Sequence, residues 1–344
     1  VRFVAVGDPQ ADFDTLLSIL ERHDLLSRSS QLKPDVHLIS MGDHFDYGPV
    51  TIRERAAHNG LATLTWLASH PPEQVTLLLG NHDLARVCEL EPFSDDTFAQ
   101  AHAHAIEVRT SGVGEQALLE RYPSVPDAEC LARDYACFTE AQRELVTTLL
   151  RSRRFRLAAH HRDLLLVHAG VTIEDFASIG HLSTTAQAAA DALNAALDRA
   201  VEHWSRGSFN LTPLHLAGSA ATGEGRGILY HRPCDPRWQP PERLSGPPRR
   251  RFDPRRLPSQ FPQAVGHIRD GKCFELMPEW SELPAAADGP IRSLRIDGER
   301  VRYLNHAHHD ARLFFVDGGM FHTAPERYEL FDLDTRKPVT SRRP

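Results

Sequence analysis

Four short apolar runs end in side chains able to bind a metal, and this repeated pattern constrains the fold more than any bulk property does. They are Phe3–Val6 before Gly7-Asp8-Pro9-Gln10, Val36–Met41 before Gly42-Asp43-His44-Phe45-Asp46, Val75–Leu79 before Gly80-Asn81-His82-Asp83, and Leu164–Val167 before His168-Ala169-Gly170. A shorter fifth, Ala264-Val265-Gly266-His267, obeys the same grammar. A brief apolar run bounded by turn residues reads as a buried strand. A polar side chain at its carboxyl end then lies in the crevice where loops diverge and ligands bind in open α/β sheets.

The stretches between these runs supply the crossovers. Phe13, Leu16, Leu17 and Leu20 fall at helical spacing, with Asp12 or Asp14 before them as an N-cap. Residues 53–69 carry Leu61, Leu64, Trp66 and Leu67 and read as a second helix, ended by Pro71-Pro72. The first 85 residues are therefore βαβαβ, the mark of a mainly parallel sheet.

From Leu84 to about Arg156 the pattern is helical, and Thr139-Glu140-Ala141-Gln142 reads as a capping box. Strand character returns over 160–167. A helix opens at Thr184-Thr185-Ala186-Gln187, and its stripe of Leu193, Leu197, Val201 and Trp204 is expected to pack on the core. Nine prolines in the thirty residues 233–262 argue against regular structure there and for a long surface excursion. Its arginines, Arg249, Arg250, Arg251, Arg255 and Arg256, read as a solvated loop or as a contact for an acidic or phosphorylated partner. Beyond His267 the runs 291–296, 301–304, 313–316 and 328–333, with an Asp297-Gly298 turn, read as antiparallel strands.

Composition closes off several functions. The 39 basic and 46 acidic residues leave a net charge of −7, so there is no global attraction to nucleic acid. No apolar run nears the ~18 residues of a membrane span. The five cysteines are scattered, with no CxxC pair. They indicate neither a disulfide framework nor a zinc knuckle and suit a reducing compartment. With no secretory leader visible, a cytoplasmic location is expected.

The ordered series Gly-Asp-x-Gln, Gly-Asp-x-x-Asp, Gly-Asn-His-Asp, Val-His-Ala-Gly and Gly-His resembles the calcineurin-like metallophosphoesterases. It is most similar to the branch of phosphoprotein phosphatases and bacterial dinucleoside tetraphosphate hydrolases. Phe315-Val316-Asp317-Gly318-Gly319 resembles that branch's closing strand. The resemblance implies a four-layer α/β/β/α sandwich of two mixed sheets flanked by helices. A single domain over 1–344 is expected, with a helical insertion at about 85–158 and a helix plus Pro/Arg-rich excursion at about 176–262.

It also implies two divalent metals, manganese first, with iron, zinc or magnesium as alternatives. Asp8, Gln10 and Asp43 would hold one, and Asp43, Asn81, His168 and His267 the other. A metal-bridging hydroxide would attack a phosphomonoester directly. His82, oriented by Asp46, would protonate the leaving group, and Asn81 and an arginine would hold the phosphate.

Two departures from the family pattern stand out. Gln10 replaces the usual histidine with a harder oxygen donor, which favours manganese or magnesium over zinc. Tyr47 occupies the place of a phosphate-gripping arginine, so another must serve: Arg232 first, then Arg226, Arg53 or Arg86. His267 is followed by Ile268 and Arg269, so the second histidine of the Gly-His-x-His motif of nuclease and phosphodiesterase branches is absent, which favours monoesters or pyrophosphate bonds. The expected substrate is a phosphorylated small molecule, nucleotide or phosphoprotein, including phosphoserine or phosphothreonine in proteins. Hydrolysis of nucleotide pyrophosphates or dinucleoside polyphosphates, and a degenerate phosphatase kept as a scaffold, are the competing readings. The remaining histidines, including His306, His308 and His309, are expected at the surface or behind the ligands.

Overall fold

The structure is a computed structural model that describes residues 1–182, 184–204, 208–237, 251–281 and 288–340. Its frame is two six-stranded sheets. In chain order the sheet strands are β1 (Arg2–Val6), β2 (Val36–Ser40), β3 (Val75–Leu78), β4 (Phe155–Arg156), β5 (Ala158–His161) and β6 (Leu164–Val167). They continue with β7 (Gln263–Val265), β8 (Arg292–Asp297), β9 (Arg300–Leu304), β10 (Leu313–Phe315), β11 (Phe331–Asp332) and β12 (Lys337–Pro338). One sheet runs β12-β11-β1-β2-β3-β4 and the other β9-β8-β10-β7-β6-β5.

Each sheet contains a parallel trio, β1-β2-β3 in the first and β6-β7-β10 in the second. Parallel strands aim their carboxyl ends the same way, so each trio gathers its terminal loops on one edge.

Side-chain alternation builds the layers, because successive residues of a strand point to opposite faces. Ala5, Ile39 and Leu78 from the first sheet share one apolar cluster with Leu164, Leu166, Ala264 and Phe314 from the second, which is the sheet-on-sheet interior. The alternate residues, Val4, Val6, Leu38 and Leu77 on one side and Leu165, Val167 and Val265 on the other, join the layers beneath the helices. Helix α1 (Phe13–Arg22) and helix α2 (Arg53–Ser69) supply Leu16, Ile19, Leu20, Leu64 and Leu67 to that cover. Residues 81–85 form a short helix α3, Asn81–Ala85.

The insertion carries a core of its own. Helix α4 (Asp95–Ser111), helix α5 (Glu115–Arg121) and the turn of π-helix over Cys130–Asp134 enclose Phe98, Ala101, Ala105, Leu118, Leu131, Tyr135 and Phe138. Helix α6 (Glu140–Arg151) returns the chain to the sheets.

Several expectations are corrected. Residues 158–167 form a hairpin, β5 antiparallel to β6, turning at Arg162, whose φ is 54°. Thr139 caps α6 by accepting from Gln142 N at 3.3 Å, but Gln142 does not reach back to complete a box. Its amide is used elsewhere, as described below. β10 lies parallel to β7 rather than continuing an antiparallel meander, because the β8-β9 hairpin first takes the chain to the sheet edge. Of residues 328–333 only β11 pairs, antiparallel to β1.

The proline-rich excursion is not wholly irregular. Arg251–Phe252 pairs in parallel with Arg232–Pro233, and Pro254–Arg256 forms a turn of 3-10 helix. Arg249 and Arg250 lie outside the described residues. Arg255 bonds Asp253 and, at 2.8 Å, Glu299, while Arg256 bonds Glu174, so both arginines are neutralised within the chain. Among the described residues no helix is long and apolar enough to cross a membrane.

Candidate metal centre and proton-donor dyad

Five of the six expected metal ligands follow strands of the two parallel trios: Asp8 after β1, Asp43 after β2, Asn81 after β3, His168 after β6 and His267 after β7. Asp8, Asp43, Asn81 and His168 are each no more than 5% exposed.

The structure joins these residues across long sequence separations. Asp8 accepts from the His267 backbone N–H at 2.9 Å. Asp43 Oδ1 accepts from His82 N at 2.9 Å, and its Oδ2 lies 3.4 Å from His168 Nε2. Asp43, His168 and His267 present three ligand atoms within 4.8 Å of one another.

Backbone geometry enforces this crowding. Asp43, Asp46 and His267 all have left-handed φ, of 53°, 62° and 63°. Such values are costly outside glycine and cluster where function over-determines the backbone. At two positions only glycine fits. A Cβ on Gly80 would lie 2.1 Å from Asp43 Oδ1, and one on Gly266 would lie 2.2 Å from Asp8 Oδ1.

The surrounding hydrogen bonds fix the donors' lone pairs. His168 Nδ1 donates to the Met41 carbonyl at 2.8 Å, which leaves Nε2 as the lone-pair nitrogen facing Asp43 and Asn81. Gln10 Nε2 donates to Phe45 O at 2.7 Å, so the amide is held by its nitrogen and its oxygen is the donor left for a metal. Asp83 binds the motif loops together. It accepts from the backbone N–H of Gly80, Asp43 and His44 at 2.9, 3.0 and 3.0 Å and pairs with the His44 ring.

Whether this donor set fits a cation can be read from Asn81. With its oxygen inward, the amide faces His168 Nε2 at 3.1 Å, His267 Nδ1 at 3.0 Å, and Asp43 Oδ2 and Leu229 O at 3.3 Å each. Rotating the amide would turn its NH2 group toward them, but its two hydrogens could serve only two of the four. With the oxygen inward, the convergence of lone pairs is what a divalent ion satisfies. Electrostatics agrees with the geometry. Burial, then the charges of Asp317 and Asp43, push the Asp8 carboxyl well above its ordinary range. Burial would raise Asp43 too, but without a metal the protonated rings of His168 and His82 outweigh it and lower its pKa, a positive charge that a cation on the His168 lone pair would replace. Buried acids that repel one another are relieved by a cation, so the residues fit a divalent metal.

His82 and Asp46 stand beside this cluster, with His82 Nε2 4.0 Å from Asp43 Oδ2. His82 Nδ1 lies 3.0 Å from Asp46 Oδ2, and the other Asp46 oxygen accepts from Cys137 N at 3.0 Å. Burial alone would depress the His82 pKa, but the charge of Asp43 and the hydrogen bond to Asp46 outweigh it and raise the value to about 9.

The candidate phosphate arginines are arranged differently. Arg232 is bound to Glu224 at 3.0 Å and to Tyr230 O at 3.1 Å, three residues from the Leu229 carbonyl that touches the cage. Arg53 reaches His102 of the insertion at 3.1 Å. Arg226 sits in a short ladder with Leu216. Arg86 is completely buried, with its guanidinium 2.5 Å from Asp46, so it lies behind the dyad rather than before the phosphate. Tyr47 donates to Asp12 at 2.7 Å and packs against Phe321.

Sequence reasoning missed Asp83, the supporting role of Arg86, and Asp317. Asp317 was legible in principle, since it follows β10 by the same grammar as its neighbours. It is half-buried, accepts from Gly319 N at 2.8 Å, and is raised to about 6, chiefly by desolvation, with the charges of Asp288 and Asp43 adding to it. A second histidine-rich group, His308, His309 and Asp310, also has metal-like spacing, but His309 and Asp310 are exposed.

The sequence profile described as calcineurin-like phosphoesterase matches residues 1–205, more than half of the chain. No curated protein matches. Among solved structures, the chain is similar to a cold-active protein-tyrosine phosphatase of the psychrophile Shewanella sp.. That match has 15% identity and a TM-score of 0.42, covering 96% of this chain and 74% of the other. A second structure of a cold-active protein tyrosine phosphatase matches at 15% identity and a TM-score of 0.41, covering 96% and 72%.

Proposed function

The chain belongs to the calcineurin-like phosphoesterase family and is a phosphoric ester hydrolase, and from that premise we propose that it cleaves phosphomonoesters with a pair of divalent metals and a histidine acid. The single observation that carries this reading is the His82–Asp46 pair, 3.0 Å apart and adjoining the Asp43 carboxylate.

Asp8, Gln10 and Asp43 would hold one metal and Asp43, Asn81, His168 and His267 the other. Bound there, the metals would supply Lewis acidity to the phosphate and lower the pKa of the attacking water. Oxygen-rich donors, Gln10 among them, favour manganese. The Asn81 amide, beside His168, His267 and Asp43, would also meet a phosphate oxygen held at the metals.

The chain's own groups account for the rest. A water oxygen forms the new bond to phosphorus as the bond to the leaving oxygen breaks. His82 Nε2 gives its proton to that departing oxygen, while Asp46 holds Nδ1 and with it the direction of the ring. An alkoxide needs this proton far more than a phenolate does. Arg269, paired with Asp288, stands where a Gly-His-x-His motif would carry its second histidine, and the absence of that histidine favours monoesters over diesters. The substrate classes include phosphoproteins and small phosphomonoesters.

A panel of phosphopeptides, alkyl and aryl phosphates, dinucleoside polyphosphates and diesters, assayed with manganese, tests the reading. Inorganic phosphate released from monoesters is expected. Nucleotide products alone would replace this reading with a pyrophosphate hydrolase.

A further inference from the structure

The one fully buried arginine beside the site has no part in the chemistry described so far. Arg86 lies one helical turn beyond His82, is 0% exposed, and rests over the Phe45 ring with its guanidinium carbon 4.6 Å from the centroid. Its NH1 group donates to Asp46 Oδ2 at 2.5 Å and to the His82 carbonyl at 2.9 Å. Its Nε and NH2 groups both reach Gln142 Oε1 on α6, at 3.2 and 3.1 Å, and Gln142 in turn donates to Ala57 O on α2.

A charged group this deeply buried is strongly destabilising unless paired, and here the charged partner is Asp46, the carboxylate that orients His82. Asp46 itself sits at a left-handed φ of 62°, a conformation that needs support. The geometry points to Arg86 as a positioning residue for the acid. By fixing Asp46 Oδ2 from behind, it sets the His82 ring so that Nε2 faces the leaving group, and Gln142 ties that alignment to the helical insertion. The inference rests on the general-acid role of His82 given above.

Kinetics can separate alignment of the acid from mere support of the fold, because the leaving group reports only on proton donation. With manganese present, Arg86→Met is expected to lower kcat for an alkyl phosphate by about tenfold or more, within the usual range for general-acid effects. Its kcat for an aryl phosphate should fall far less, and KM for either should change little. Arg86→Lys, which keeps a cation but not the fork, should fall between Arg86→Met and the parent.

Equal losses on both substrates, or no loss, would overturn the positioning role. If Arg86→Met does not fold, Arg86→Lys and Gln142→Leu carry the same comparison, and equal losses in those variants overturn it likewise. His82→Asn tells the two failures apart. If it shows the leaving-group split and the Arg86 variants do not, the positioning role alone falls. If it shows none, the acid role falls and the inference with it.

Discussion

The metal cage and the proton-donor dyad stand side by side yet are built in different ways. Asp8, Asp43, Asn81, His168 and His267 all hang from carboxyl ends of buried parallel strands, and the two sheets bring them together. The dyad starts from the same loops, but its support comes from outside the sheets: Cys137 N from the end of the insertion, and Gln142 from α6 through Arg86. The proposed cage lies at the strand ends of the sandwich, whereas the proposed acid is supported from the insertion between β3 and β4. The two functions should therefore fail separately.

Chelation should have the largest effect. Stripping divalent ions is expected to abolish phosphoester hydrolysis, with manganese restoring it, as measured by phosphate release. Retention of activity after exhaustive dialysis against chelator would break the cage half of the comparison.

Next comes His82→Asn. Alkyl phosphate turnover should fall by about 10²–10⁴-fold, aryl turnover much less, and metal content not at all. A loss of metal together with activity would show that the dyad and the cage are one unit.

Core truncations should sharpen the division. Phe314→Ala, in the sheet interior, and Phe98→Ala, in the insertion, should each lower unfolding free energy by about 3–5 kcal/mol in denaturant titrations. Only the first should also weaken metal binding.

The smallest effect concerns the segment that lends Leu229 to the cage. His215 stacks on Tyr230, and burial holds its pKa down to about 4 from its ordinary 6.5. The folded chain keeps this ring neutral while the unfolded chain protonates it. Its contribution is therefore present above pH 6.5 and is lost as pH falls toward 4, to a total of about 3 kcal/mol at most. His215→Leu should flatten the stability profile in that window, measured by denaturant titration at several pH values, and leave metal content unchanged.

The contrast also explains what could be read from the chain. The ligands were legible because one local rule, an apolar strand followed by a turn and a donor, places each of them without knowledge of its partners. Asp317 obeyed that rule and was still passed over, since its place beside the other strand-end donors shows only once β10 is seen next to β7. β10 does run antiparallel to β8, but its other neighbour, the parallel β7, is remote in the chain and no local signal points to it. Arg86 stood last among the arginines weighed for the phosphate. Its real partners, Asp46 and Gln142, lie 40 and 56 positions away, and an arginine at the end of a short polar helix gives no sign that it is fully enclosed. Likewise Gln142, placed in a capping box by spacing, spends its amide on Arg86.

Everything returns to Asp43 as a ligand shared between two ions. Counting divalent ions bound per chain, by titration calorimetry with manganese on stripped protein, tests this most directly. Two ions are expected in the parent chain, one in His168→Asn, and loss of both sites in Asp43→Asn. Undiminished binding of two ions by Asp43→Asn, or no binding by the parent, would contradict it.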